Sequence, residues 1–444
     1  MSNEAPRVEN ADSTRGTDRP ASSRTVAWVS TTYFAEGLPY MIVRILSGVY
    51  FTDVGAKERY IGYLNFLGIP WNLKFLWAPL VDAISTKRTW LIFTQALITL
   101  ITGVIAGLCL IVPGGEATHL LLVALLFVGM AFVAATNDIA IDGHYLEAIT
   151  SPADQAAYSG YRVLAYRVSM IYARSGLVAV AAWAASSLSD DKHAPWAVAF
   201  GAGAVTMFGL TAFHHLRLPR FEASRDAAFD AMAVLRSYVP AFRSYLDQRR
   251  IFLVLVFIII YRLGDEILFS MVTPFLLREL QVSKGQYAWI AGVVGAAGSI
   301  GGAMLGGYWI KVKGLKGAVW PLTLLMNLNI WAYVWLAWSK PDASTTSGIA
   351  TIAFVHGYEQ VAAGLGNASL LMYLLGTCKP EFKAGHYAIG SAIMSLGSTL
   401  FGGFGGRIVE AVGYLQLFLI AFVASIPSMA LLPFVPMEDR NKAS

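Results

Sequence analysis

Twelve apolar runs, each long enough to cross a bilayer as a helix, divide this chain. A helix rises 1.5 Å per residue, so about 20 apolar residues cover the hydrocarbon. In lipid every backbone amide and carbonyl needs an internal partner, which leaves helices or closed barrels as the spanning structures. The runs are 26–51, 61–84, 89–112, 118–142, 157–186 and 195–214, then 251–279, 286–310, 318–338, 347–377, 384–407 and 412–435. None shows the short alternation of barrel strands. Of the residues, 56% are hydrophobic and 14% charged, whereas a soluble domain carries roughly 25% charged residues. The chain reads as an all-α integral membrane protein.

A net charge of +5 does not point to nucleic acid, because the basic residues form no single patch. They alternate with the apolar runs. If residues 1–25, polar and free of an apolar signal core, form a disordered cytoplasmic tail, that face collects 20 Lys and Arg residues and the other 6. The excess places both termini in the cytoplasm. Cys109 and Cys378 lie far apart in apolar runs, and His144, His356 and His386 are scattered. Neither set suggests a disulfide framework or a metal site, and no cofactor is expected.

The runs fall into two sets of six. Residues 26–214 form an N-terminal six-helix bundle and 251–436 a C-terminal one, joined by a cytoplasmic linker, 215–250, and followed by a tail, 437–444. The linker spaces its apolar residues as an amphipathic helix interrupted by Pro240, suited either to the membrane surface or to a plain connection. Two bundles around a central cavity are the plan of a duplicated transporter. The loops "PLVDAISTKR" (79–88) and "GGAMLGGYWIKVKGLKG" (301–317) resemble the loop signature of the major facilitator superfamily. That resemblance implies alternating access, with an inner gate at Asp82, Lys74, Lys87, Arg88, Lys311 and Lys313. Ordinary positive-inside charge explains part of the same pattern. The runs of glycine around Gly298, Gly302 and Gly306 and at "GGFGG" (402–406) read as helix-packing positions rather than phosphate loops.

Ionisable residues inside the runs need partners or tasks, since a charge at the bilayer centre costs about 2.5–3.5 kcal/mol on insertion scales. "IIIYRLGDEILFS" (258–270) holds Arg262, Asp265 and Glu266 within five residues. Glu36 and Arg44 lie in the first run, Lys74 in the second, Asn137, Asp138 and Asp142 in the fourth. Arg162, Arg167 and Arg174 lie in the fifth, His356, Glu359 and Gln360 in the tenth. Structural ion pairs and snorkelling account for Arg162 and Arg407, and serve equally well for Lys74 and Asp142. The inner acids are different. A carboxyl group in a desolvated site can take and release a proton near neutral pH, whereas arginine keeps its charge and offers a bidentate fork to an anion. Titrating acids beside fixed cations suit proton-coupled uptake of an anionic solute. A membrane-embedded enzyme is the competing reading, and no nucleophile elbow or paired metal motif supports it.

Several segments resemble the AmpG-type muropeptide permeases, a branch of the major facilitator superfamily related to acetyl-CoA transporters. They are "LKFLWAPLVD" (73–82), "NDIAIDGHYLEAI" (137–149), "YRLGDE" (261–266), "YEQVAAGLGNASLLMYLLGTC" (358–378) and "HYAIGSAIMSLGSTLFGGFGGRIVEAVG" (386–413). The resemblance implies proton-driven import of an anhydro-muramyl disaccharide, with or without peptide, across a bacterial inner membrane. Carried over by position, it points to Lys74, Asp82, Asp138, Asp142, Arg167, Asp265 and Glu359. Glu36 departs from it, standing where a small residue is expected, and Arg174 looks like an added base. Another bulky anionic solute, acetyl-CoA included, therefore stays open. The expected substrate contacts are Arg167, Arg44, Arg174, Arg262, Asn137, Asp138, Tyr33 and Gln360. Glu359, Asp265, Glu266, Glu36 and Asp142 are the proton-coupling candidates, with Arg44, Arg174 and Arg262 expected to find acidic partners. The partners are then a small molecule, protons and the lipid bilayer, and the chain acts as a monomer.

Overall fold

The computed structural model describes residues 22–112, 114–187, 191–220 and 231–437. Among them the chain is helical almost throughout and forms twelve spans. The first half holds residues 23–53, 58–84, 87–111, 116–148, 152–187 and 194–217. The second holds 251–279, 284–313, 315–339, 346–376, 383–412 and 414–431, with Gly314, at φ 72°, breaking the eighth span from the ninth. Side-chain caps start several of them. Thr86, Ser151 and Thr345 each accept from a backbone N–H two or three residues on, and Ser283 with Gln286 closes a full capping box. Such caps satisfy amides that the first helical turn leaves open.

Seven helical stretches of the described residues are apolar and long enough to cross a membrane, one of them, Lys284–Ser339, taking in the eighth and ninth spans together. Several of the spans are interrupted. The second holds two 3₁₀ turns, Leu64–Gly68 and Lys74–Leu76, around Pro70 and Pro79. Widened π turns occur at Ile42–Leu46, Tyr172–Leu177, Phe275–Glu279 and Ile290–Val294. Pro39 and Pro274 stand just before the first and third of these. Proline withholds an amide from the helical ladder, and a π turn is one way to re-form it. The periodicity of an apolar run carries no mark of such turns, so the sequence suggests smooth helices where the structure has bent ones.

Large apolar side chains such as Phe252, Val205 and Phe354 are over 70% exposed. In water that would be a liability, but in hydrocarbon it costs nothing. Inward, helices meet through small residues. A Cβ on Gly302 would lie 2.1 Å from the Val361 carbonyl oxygen, so the eighth and tenth spans touch backbone to backbone there.

The linker contributes one helix, Ala231–Leu246, which continues through Pro240 rather than stopping at it. Ala241 and Tyr245 are buried against the eleventh span near Gly385, His386 and Gly390. The rest of the 215–250 expectation, residues 221–230, and most of the two tails lie outside the described residues.

Candidate functional site

Between the halves lies a cavity of about 920 Å³. Its walls come from the first, second and fifth spans on one side and the seventh, eighth and tenth on the other. Five arginines line it: Arg44, Arg162, Arg167, Arg174 and Arg262. Two are neutralised by the protein. Arg162 donates to Asp142 Oδ1 at 3.1 Å and lies over the rings of Tyr33 and Tyr145, 4.3 and 4.2 Å from their centroids. Arg262 donates to Asp265 at 2.7 Å and to Glu266 at 3.0 Å.

The other three have no carboxylate partner among the described residues. Arg44 donates to the Asn65 main-chain oxygen, and Arg167 donates to the Met170 sulfur at 3.7 Å. The Arg174 Nε is buried with no hydrogen-bond partner among the described residues. The expectation that Arg44 and Arg174 would pair with acids is corrected here. The reason is local: Arg44 sits on the π turn Ile42–Leu46 and Arg174 on the π turn Tyr172–Leu177. A widened turn changes where the side chain emerges, and π turns recur at functional sites. Here both arginines line the cavity.

Tyr33, Glu36, Glu266 and Gln360 also line the cavity, whereas Asn137 and Asp138 stand behind its wall. Asn137 ties helices together, donating to the Ala35 carbonyl at 3.2 Å and accepting from Thr94 at 3.1 Å. Asp138 forms an ion pair with Lys74. That pair ties the second span to the fourth, as the ion-pair reading of Lys74 expects. Asp142 accepts from Tyr33 at 2.8 Å. Glu359 is buried; one carboxylate oxygen accepts from Gln360 at 3.1 Å and the other has no partner among the described residues. Beside it, Tyr333 lies 2.8 Å from His356 Nδ1.

The cavity is closed at the end that carries Lys57. Three ion pairs join the halves there: Arg278 with Glu58 at 2.8 Å, Lys284 with Asp53 at 2.8 Å, and Arg59 with Glu410 at 2.7 Å. Arg278 also donates to the main-chain oxygens of Phe51 and Thr52. A Cβ on Gly406 would collide with the Glu58 carbonyl oxygen, so at "GGFGG" the two halves meet backbone to backbone. This clasp is absent from the sequence-based expectations. Its charges sit at span ends, where any membrane protein carries charges, and each pairing links residues more than 200 positions apart.

The gate residues expected from the loop signature belong to the other end. Arg88 donates to the carbonyls of His215 and Leu218 within its own half, and Lys87 packs beside Gly143. Lys311 and Lys313 are exposed, and the Asp82 side chain lies outside the described residues.

No family model matches the chain. The anhydromuropeptide permease of Escherichia coli K12 is 27% identical over 410 residues, covering 90% of this chain and 77% of the permease. The chain is AmpG-like. A putative transporter AmpG 4 of Rickettsia felis is 23% identical, with 90% and 94% of the two chains covered. Among solved structures, a bacterial homologue of the human lysosomal transporter Spinster, inward-facing and unoccupied, superposes with a TM-score of 0.68 at 15% identity, covering 93% and 96%. A D-xylose–proton symporter gives 0.65 at 12% identity, covering 93% and 98%. The fold of this AmpG-like chain is shared with these solved transporters.

Proposed function

We propose that this chain is a proton-driven importer of a bulky, anionic anhydro-muramyl solute, working by alternating access in a bacterial inner membrane. It acts as a monomer without a cofactor, with both termini in the cytoplasm. One observation carries the reading: a cavity between the halves presents Arg44, Arg167 and Arg174 with no ion-paired carboxylate among the described residues. Fixed cations in a low-dielectric cavity are seats for a solute's carboxylates, through charge-assisted bonds. At about 920 Å³ the space reaches the upper part of the range for ligand pockets, which fits a disaccharide. Tyr33, Tyr40 and Tyr166 line it as well and offer flat faces to sugar rings. Similarity to a permease named for anhydromuropeptides supports the same solute class.

Glu359 carries the driving proton in this reading. It is buried, with one carboxylate oxygen lacking a partner among the described residues, while Arg262 is committed to Asp265 and Glu266. Binding and release of a proton at Glu359 changes the charge behind the arginine-lined wall, coupling proton movement to solute occupancy. The Lys57 end, held shut by the three inter-half ion pairs, is periplasmic, and the conformation faces inward.

The test is uptake by proteoliposomes under an imposed pH gradient. Anhydro-muramyl disaccharide should accumulate only when the gradient is present. Uptake of acetyl-CoA with none of the disaccharide would overturn the solute class, and accumulation independent of the gradient would overturn the coupling.

A further inference from the structure

We propose that Asn65 is a positioning residue that ties Arg44, a cavity arginine, to the seam between the second and eleventh spans. Occupancy of the cavity is thereby felt where the two halves close, a link that rests on the reading of Arg44 as a seat for solute. Arg44 leaves the first span on the π turn Ile42–Leu46 and lines the cavity. Its Nη1 donates to the main-chain oxygen of Asn65, on the 3₁₀ turn Leu64–Gly68 of the second span. The side chain of the same residue works in the other direction. Asn65 Nδ2 donates to the Gly62 carbonyl at 3.0 Å and, across the seam, to the Gly402 carbonyl of the eleventh span at 3.3 Å. Asn65 thus holds the cavity arginine with its backbone and the opposite half with its amide.

Glycines let these groups come close. A Cβ on Gly402 would stand 3.3 Å from Asn65 Cγ, so the amide rests against bare backbone. A Cβ on Gly68 would stand 3.1 Å from Arg44 Cζ and 3.2 Å from Thr399 Oγ1 of the eleventh span. Arg44 and Thr399 therefore approach each other over Gly68, and Asn72 Nδ2 donates to the same Thr399 hydroxyl at 3.3 Å. Internal hydrogen bonds are poorer in a 3₁₀ turn than in an α-helix, which makes the Leu64–Gly68 turn depend on such outside contacts. A guanidinium has several N–H donors, so Arg44 can hold the Asn65 carbonyl and a solute carboxylate at once. A carboxylate seated there fixes the guanidinium over Gly68, and with it the turn that presents the Asn65 amide to Gly402. By linkage, a joined seam favours the solute to the same extent.

The test uses the full chain in lipid nanodiscs, with spin labels on Tyr60→Cys and Val412→Cys to report the distance across the seam. Both positions are exposed, on the second and eleventh spans, and both native cysteines are buried. Without solute, Arg44→Gln and Asn65→Ala should each raise the ratio of parted to joined seams about fivefold, the scale of one lost hydrogen bond. The double variant should do no more than either alone, because the two residues act through one chain of contacts. Anhydro-muramyl disaccharide should join the seam in the parent, whereas Asn65→Ala should still bind it and lose that response. Gly68→Ala sets a methyl group between Arg44 and Thr399 and should blunt the response in the same way, which covers the case in which Asn65→Ala does not fold. Additive effects of Arg44→Gln and Asn65→Ala overturn the link, as does a full response to the disaccharide in Asn65→Ala or Gly68→Ala. Non-additive effects with no binding of the disaccharide by the parent keep the link and overturn the reading of Arg44 as its seat.

Discussion

Arg278 Nη1 lies 2.8 Å from Glu58 Oε1, and this bond, between residues 220 positions apart, ties one half of the molecule to the other. The same guanidinium reaches two main-chain oxygens of the first span. One arginine therefore holds the ends of two helices, and breaking it must loosen the closed end.

For an ion pair about a quarter exposed on each side, about 1 kcal/mol is a fair value after solvent screening. Arg278→Ala together with Asp53→Asn, which also frees Lys284, should shift the equilibrium toward opening at that end by roughly tenfold. A cysteine at Ser270, in the cavity wall, should then react faster with an impermeant thiol reagent added outside cells. An unchanged rate would mean that the clasp is not what keeps the end shut.

Orientation has its own check. Lys57 and Lys313 are exposed at opposite ends, while both native cysteines are buried. Lys57→Cys should label from outside intact cells, and Lys313→Cys only after permeabilisation. Reversed labelling would invert the proposed topology.

Glu359→Gln keeps the shape and the hydrogen bond with Gln360 but holds no titratable proton. Uptake driven by a pH gradient should fall at least tenfold, while counterflow without a gradient should fall much less. Equal loss of both would reduce Glu359 to a packing residue.

Arg174→Gln should weaken solute uptake by roughly tenfold or more, the scale of one charge-assisted bond of about 1.5–3 kcal/mol. Arg174 makes no ion pair among the described residues, so thermal stability should stay near that of the parent. A large drop in melting temperature with unaltered uptake would show that Arg174 serves the fold.

Gly406→Val places side-chain atoms where the Glu58 carbonyl now sits. The closed end should then fail to seat, with uptake lost but the protein still in the membrane. Normal uptake by this variant would show that the backbone contact at Gly406 is dispensable.

Much of the architecture was legible in the sequence because the bilayer imposes one length and one polarity on every span. The buried charges were legible too, since lipid makes them conspicuous. Their partners were less so. Arg162 reads as an ion-paired or snorkelling residue and is bonded to Asp142, but its place in the cavity wall is not visible in the sequence. Lys74 fits an ion pair or a gate equally well in the sequence, and the fold pairs it with Asp138. Helix bends and long-range contacts decide such outcomes, and a local pattern contains neither. The closing ion pairs were invisible for the same reason: Asp53, Glu58 and Glu410 are unremarkable until the fold brings Lys284, Arg278 and Arg59 to them.

The widened turns at 42–46 and 172–177 carry a different kind of consequence. Each holds an extra residue that the wider turn absorbs, so deleting it would close the turn to an ordinary α-turn and leave the helix beyond in register. Deleting Ile45 should therefore re-aim Arg44 while leaving Asp53 within reach of Lys284. Such a deletion should cost solute uptake far more than it costs the seating of the closed end.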